Sequence, residues 1–299
     1  MSFPPKSSLW PHLKTFFGWT RASYALMSLF LAVILLIIIV WWPLVLDYAA
    51  TYDPDYPFWV QFDWLLLGIF AVMSLLIMAG ANFKRDAWIV IIGLCGGLVI
   101  ESWGTQTQLW IYYTQERPPL WIIPAWPIAS LSIWRLVKLL ELVFRRQKST
   151  RLFTILYWFI FPVFFILMTW FIRPSYEKSL TWMAWLTCIL LILAPSDRRL
   201  AVLNFIAGSG LGYFLEVWGT TRQCWIYYTL QTPPLFAVLA HGLAAVAFWR
   251  TGVLFQAVSQ KLRVRWCSSL ISVNQPERSG SGEGAGPTGS VGSSRSASA

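Results

Sequence analysis

Eight apolar stretches run along this chain at roughly 22–46, 58–80, 87–104, 119–144, 152–172, 180–194, 200–218 and 234–257, parted by short polar loops. A helix needs about 20 apolar residues to cross a bilayer. The pattern therefore predicts about eight transmembrane helices. The 180–194 stretch is the shortest, and the third and seventh stretches each carry a glutamate. The loops alternate in charge. Lys84 and Arg85, Arg145, Arg146, Lys148 and Arg151, Arg198 and Arg199, and Lys261, Arg263 and Arg265 follow every second stretch. Asp47, Asp53 and Asp55 follow the first stretch, and aromatic, nearly uncharged loops follow the third and seventh. Basic loops stay in the cytoplasm, so both termini are expected there, with the chain in a bacterial inner (plasma) membrane. The run from Ala22 to Leu46 exceeds a signal-peptide core and lacks a suitable cleavage site, and is expected to remain as a helix.

The chain also repeats itself. With Glu101 placed on Glu216, about half of the positions through Arg135 and Arg250 are identical without a gap: Glu, Trp-Gly-Thr, Gln, Trp-Ile-Tyr-Tyr-Thr, Pro-Pro-Leu and Trp-Arg. The two copies begin in helices that run the same way across the membrane. The expected fold is thus an all-α membrane helical bundle of two parallel four-helix repeats, with pseudo-two-fold symmetry along the membrane normal. The repeats would span 22–148 and 149–265, after an interfacial N-terminal segment, 1–21, that includes Trp10 and Leu13. A Gly/Ser-rich tail, 266–299, is expected to be disordered. Gly93 and Gly97 match Gly208 and Gly212 at the spacing that lets helix backbones approach, which suggests the third helix against the seventh.

Composition narrows the function. Of 299 residues 57% are hydrophobic and 12% charged, about half the charged share of a soluble domain. The net charge of +10 sits in scattered short loops, which fits orientation and contact with anionic lipid and not nucleic-acid binding. Only His12 and His241 are histidines, and Cys95, Cys188, Cys224 and Cys267 have no metal or pairing spacing, so no metal or cofactor is expected.

Charge inside apolar sequence is costly and marks candidate sites. Helix rise puts Glu101 and Glu216 roughly 21–24 Å above the cytoplasmic side, and Arg135 and Arg250 roughly 15 Å above it. This predicts buried Glu101–Arg135 and Glu216–Arg250 ion pairs, serving either helix packing or proton chemistry. Gly104 and Gly219 are expected to end their helices, and Pro118-Pro119 and Pro233-Pro234 to begin the next ones. Between them Trp110, Tyr112 and Tyr113, and Trp225, Tyr227 and Tyr228, form an aromatic belt or a lid over a cavity. Trp103 and Trp218 adjoin these lids as further substrate-binding candidates. The copies differ where Trp126 is matched by His241 and Thr107 by Arg222. His241 can titrate near neutral pH and joins the catalytic candidates. Lys138 and Glu141, one turn apart, predict a local ion pair.

The stretch E-x-W-G-T-x-T-x-L-W-x-Y-Y-T with its Pro-led apolar helix is similar to the signature of the membrane carotenoid hydratases, the relatives of bisanhydrobacterioruberin hydratase, over about 30 residues per copy. That resemblance implies Glu101 and Glu216 as acids that protonate a polyene double bond. The residues by themselves leave three readings open: an enzyme acting on an isoprenoid or other lipid-like molecule, a proton- or ion-coupled transporter or flippase, and an assembly protein that docks a membrane partner or a second copy of itself. The expected partners are membrane lipid and a hydrophobic small molecule.

The topology makes a direct prediction. A cysteine at position 113 should react with a membrane-impermeant thiol reagent from the side opposite to a cysteine at position 148; labelling of both from one side would overturn the eight-span arrangement.

Overall fold

The computed structural model describes residues 16–147, 149–193 and 197–273. Trp10, Leu13 and the tail beyond 273 lie outside the described residues. Two compact units divide the chain, residues 1–255 and 256–299. Of the second unit, 256–273 is described and is helical.

The described residues form nine helices: α1 (Arg21–Val40), α2 (Trp42–Ala50), α3 (Trp64–Met78), α4 (Phe83–Gln106), α5 (Ala125–Val143), α6 (Thr150–Phe171), α7 (Ser179–Leu193), α8 (Arg198–Thr221) and α9 (Leu235–Val273). The described residues are all-α apart from two three-residue strands, β1 (Trp110–Tyr112) and β2 (Trp225–Tyr227). Helices occupy all eight expected apolar stretches. Among the described residues, α1, α4, α6, α8 and α9 are long and apolar enough to cross a membrane. At 15 residues each, α3 and α7 reach about 22 Å, short of a hydrocarbon core of about 30 Å. The helix expected to end near 257 continues to Val273, past the domain boundary expected at 265.

Short polar residues in the loops start the helices. Thr20 and Ser23 form a reciprocal capping box on α1. Asp63, Asn82, Ser149 and Asp197 accept backbone N–H bonds at the starts of α3, α4, α6 and α8. Each satisfies donors that the first turn leaves open.

The ends of α4 and α8 decide where the aromatic loops go. Gln108 and Gln223 take left-handed φ values of 62° and 56°. Leu109 N–H then returns to Gly104 O at 2.9 Å and Gln108 N–H to Thr105 O at 3.2 Å, and Cys224 and Gln223 make the matching bonds to Gly219 and Thr220. This is the double backbone bond of a Schellman stop, with glutamine in the left-handed position. The expectation that Gly104 and Gly219 supply that residue is corrected, because both lie inside their helices. Their role is close approach. A Cβ on Gly104 would sit 1.8 Å from Trp110, and one on Gly219 2.0 Å from Trp225.

The strands pair antiparallel, Trp110 with Tyr227, Ile111 with Ile226 and Tyr112 with Trp225. Tyr113 N–H to Cys224 O and Tyr228 N–H to Leu109 O extend the ladder at both ends. Both loops carry a cis proline bond, at Arg117–Pro118 and Thr232–Pro233. The following helices differ. α9 begins directly after Pro234, whereas turns fill the stretch after Pro119 and α5 starts only after Pro124. Proline is tolerated at a helix start and disfavoured inside, so Pro124, matched by Leu239 in the second copy, delays the first helix.

The glycine stripes do not join α4 to α8. A Cβ on Gly93 or Gly97 would meet Pro127 at 2.9 Å or Trp126 at 2.4 Å, both on α5. Gly208 and Gly212 meet His241 on α9 in the same way. Each stripe seats the bulky residue at the head of the next helix. Lys138 and Glu141 form the expected pair at 2.6 Å.

Alanine at Gly104 or Gly219 should lower stability by about 1–3 kcal/mol through overpacking, read as a lower melting temperature in detergent. Gly210 faces open space, and Gly210→Ala should change stability by no more than about 0.5 kcal/mol.

Candidate functional site

A buried carboxylate must be satisfied by donors or paired with a cation. Glu101 and Glu216 are 3% exposed each, and both are met by ring side chains. Glu101 accepts from Trp110 Nε1 at 3.0 Å, Tyr112 Oη at 2.9 Å and Trp126 Nε1 at 3.1 Å. Glu216 meets Trp225 Nε1 at 3.0 Å, Tyr227 Oη at 2.9 Å and His241 Nε2 at 2.9 Å. Hydrogen bonds to a charged group contribute about 1.5–3 kcal/mol each. Three of them offset the several kcal/mol that burying a carboxylate costs.

The donors face one another across the two copies. Tyr112 lies 5.8 Å from Trp225, Trp110 5.9 Å from Tyr227, and Trp126 stacks on His241 at 5.9 Å and 20°. In each pair one ring bonds Glu101 and the other bonds Glu216. The strand ladder sets two of these pairs, and the glycine stripes on α4 and α8 set the third. Burial, then the neighbouring carboxylate, holds the Tyr112 and Tyr227 phenols well above the usual tyrosine range. Both remain donors at physiological pH.

The two glutamates differ in one partner. Indole N–H only donates, so Trp110 and Trp126 hold Glu101 as an acceptor. Imidazole can donate or accept, so the His241–Glu216 bond can run in either direction.

The arginines stand elsewhere, and the expected Glu101–Arg135 and Glu216–Arg250 pairs are corrected. Arg135 bonds Asp86 through both Nη atoms, at 2.6 and 3.2 Å, with the two residues 2% and 1% exposed. Trp126, seated against Gly97, stands level with Glu101, as His241 against Gly212 does with Glu216. Arg135 lies nine residues further along, about 14 Å, beside the first turn of α4. Arg250 has no such acid, since Ala201 occupies the position of Asp86, and its Nε donates to Leu191 O at 3.2 Å. Asp86 escaped sequence reasoning because it follows Lys84 and Arg85 and looks like part of a charged loop. Trp126 was visible only as the residue that His241 replaces.

Of the remaining aromatic candidates, Tyr113 and Tyr228 donate to the backbone of Val40 and Phe171 and so tie the lids to α1 and α6. Trp103 Nε1 reaches Thr181 Oγ1 at 3.4 Å, and Trp218 Nε1 reaches Asp63 Oδ2 at 2.9 Å. Among the described residues no group of three or more His, Cys, Asp or Glu could hold a metal ion.

A cavity of about 1440 Å³ runs among α1, α3, α4, α7, α8 and α9. Its walls are mostly apolar, with Ile34, Phe70, Met73, Val99, Met183 and Phe248 among them, and Glu101, Glu216 and His241 also line it. It exceeds the roughly 300–1,000 Å³ of most small-molecule pockets. The chain matches no protein-family model, no characterised protein and no solved structure.

The raised tyrosines imply a pH response. An unfolded phenol ionises near pH 10, while buried Tyr112 and Tyr227 keep their protons to higher pH. Above about pH 10 the unfolded chain therefore binds fewer protons than the folded one, and stability falls as pH rises. Melting temperature followed from pH 8 to 11.5 should drop, and more steeply than in the Tyr112→Phe/Tyr227→Phe variant.

Proposed function

We propose that this is a multi-pass membrane protein that takes a hydrophobic, isoprenoid- or lipid-like molecule into its cavity and moves a proton at Glu216 and His241. The observation that carries this reading is one large apolar cavity whose lining includes two buried carboxyl groups and an imidazole. An apolar cavity of this size suits a long hydrocarbon, and an acid on its wall is placed for general acid–base work. Five helices long and apolar enough to cross a membrane and the alternation of basic loops support membrane insertion with both termini in the cytoplasm. The ring pairs support two parallel repeats: exchanging the copies swaps Tyr112/Trp225 with Trp110/Tyr227 and maps Trp126/His241 onto itself, so the axis would pass through that stack and the Ile111–Ile226 pair.

In this reading the second copy is the working half. Glu216, in exchange with His241, gives a proton to one carbon of a double bond. The cation left on the neighbouring carbon is quenched by water, whose surplus proton returns to the Glu216 carboxylate, or by loss of an adjacent proton to that same carboxylate. Glu101, held by two indoles and a phenol, anchors the aromatic loop and balances the site. The resemblance to carotenoid hydratases points to the same chemistry on a polyene.

Lipid and pigment mass spectrometry of a deletion strain complemented with variants tests this. Glu216→Gln should stay folded and lose activity by about 10²-fold or more. His241→Trp, which installs the residue of the first copy, should do the same. Full activity in both variants, or an unchanged lipidome on deletion, would refute the enzyme reading and leave the carrier and assembly roles.

A further inference from the structure

The pseudo-repeated half-sites differ at the cavity mouth, and the difference is chemical. Where α1 ends, Tyr113 bonds Val40 and the next residue is Trp41; where α6 ends, Tyr228 bonds Phe171 and the next residue is Ile172. Trp218 reaches Asp63, while its counterpart Trp103 reaches Thr181. Arg222 stands at the position of Thr107. Trp41, Asp63 and Arg222 thus line the cavity, whereas their counterparts Ile172, Thr181 and Thr107 are buried away from it.

This mouth also has unused bonding capacity. Trp41 stacks on Trp218 at 5.4 Å and 20°. It is 8% exposed, it lines the cavity, and its indole N–H has no acceptor among the described residues. Arg222 gives its Nε to Asp63 at 3.1 Å, which leaves both Nη atoms for a ligand. Asp47 lines the same cavity. A guanidinium fork matches the oxygens of a phosphate, an indole N–H adds a donor, and a free carboxylate suits an ammonium.

We propose that this mouth seats the head of a zwitterionic phospholipid-type amphiphile. Phosphate oxygens would lie on Arg222 and the Trp41 N–H, the ammonium at Asp47, and the chains in the apolar cavity that also reaches Glu216. The proposal rests on the hydrophobic-ligand reading above and names the polar end of that ligand. A purely anionic head would bring like charge to Asp47 and Asp63. A purely cationic head would leave the Arg222 fork and the Trp41 donor unmatched.

The full-length protein in neutral detergent, titrated with short-chain phosphatidylethanolamine, phosphatidylglycerol and diacylglycerol of equal chain length, tests it through tryptophan fluorescence and native mass spectrometry. The ethanolamine lipid should bind at least tenfold more tightly than either of the others. Arg222→Thr, which copies the first half, and the exposed change Asp47→Asn should each remove that preference, while Thr107→Arg should leave it intact. Equal binding of diacylglycerol, tighter binding of phosphatidylglycerol, or a preference surviving in both Arg222→Thr and Asp47→Asn would overturn the proposal. A hydrophobic molecule that still copurifies with Arg222→Thr would leave the underlying reading standing, whereas its absence from the wild-type protein would count against that reading itself.

Discussion

Two carboxylates that must be satisfied out of water organise this protein. Glu101 and Glu216 each gather three ring partners, and those six rings are the ones that face each other in pairs. To deliver them, α4 and α8 must stop one turn beyond the glutamate and return an aromatic strand over their own last turn. The left-handed glutamines make the return, and glycines inside the helices make room for the indoles. Exchange either glycine for a larger residue and the donor it seats is pushed from the carboxylate, so backbone geometry and site chemistry are one constraint.

The duplication lets two similar sets of rings share one frame and differ at a single place. Five of the six rings on the glutamates are indole or phenol, and the sixth is imidazole. Tryptophan to histidine at one register position replaces a ring that only donates with one that can donate or accept, while the stacking surface and the glycine seat beneath it are retained. The copies part again where Arg222, Asp63 and Trp41, which line the cavity, stand in place of the buried Thr107, Thr181 and Ile172.

The buried Asp86–Arg135 pair performs a different task. Its two-pronged bond ties the first turn of α4 to the middle of α5, and removing one partner would leave the other buried and unpaired at roughly 3–5 kcal/mol. The second copy has alanine in place of the acid, and its Arg250 turns to a backbone carbonyl of α7 instead.

Much of this was legible in the order of residues, because hydrophobic runs and the twice-written motif are local properties. Apolar length alone marks the helical stretches, and the cost of charge in apolar sequence singles out Glu101 and Glu216. Alignment of the copies exposes His241 and Arg222 as the places where they part. The partners of those charges were not legible. Pairing Glu101 with Arg135 followed from counting rise along single helices, whereas the glycine seats Gly97 and Gly212 set Trp126 and His241 at the level of the glutamates in both copies. The glycine stripes named a close contact without naming the helix that fills it. The strand ladder depends on two loops more than a hundred residues apart, and nothing local in either loop selects the other. The sequence by itself determined which segments are helices and which charges are unusual. Only the tertiary structure decided which donor meets which acceptor, because hydrogen bonds are set by distances of about 3 Å, and the register of one helix against another moves those distances by several times that amount.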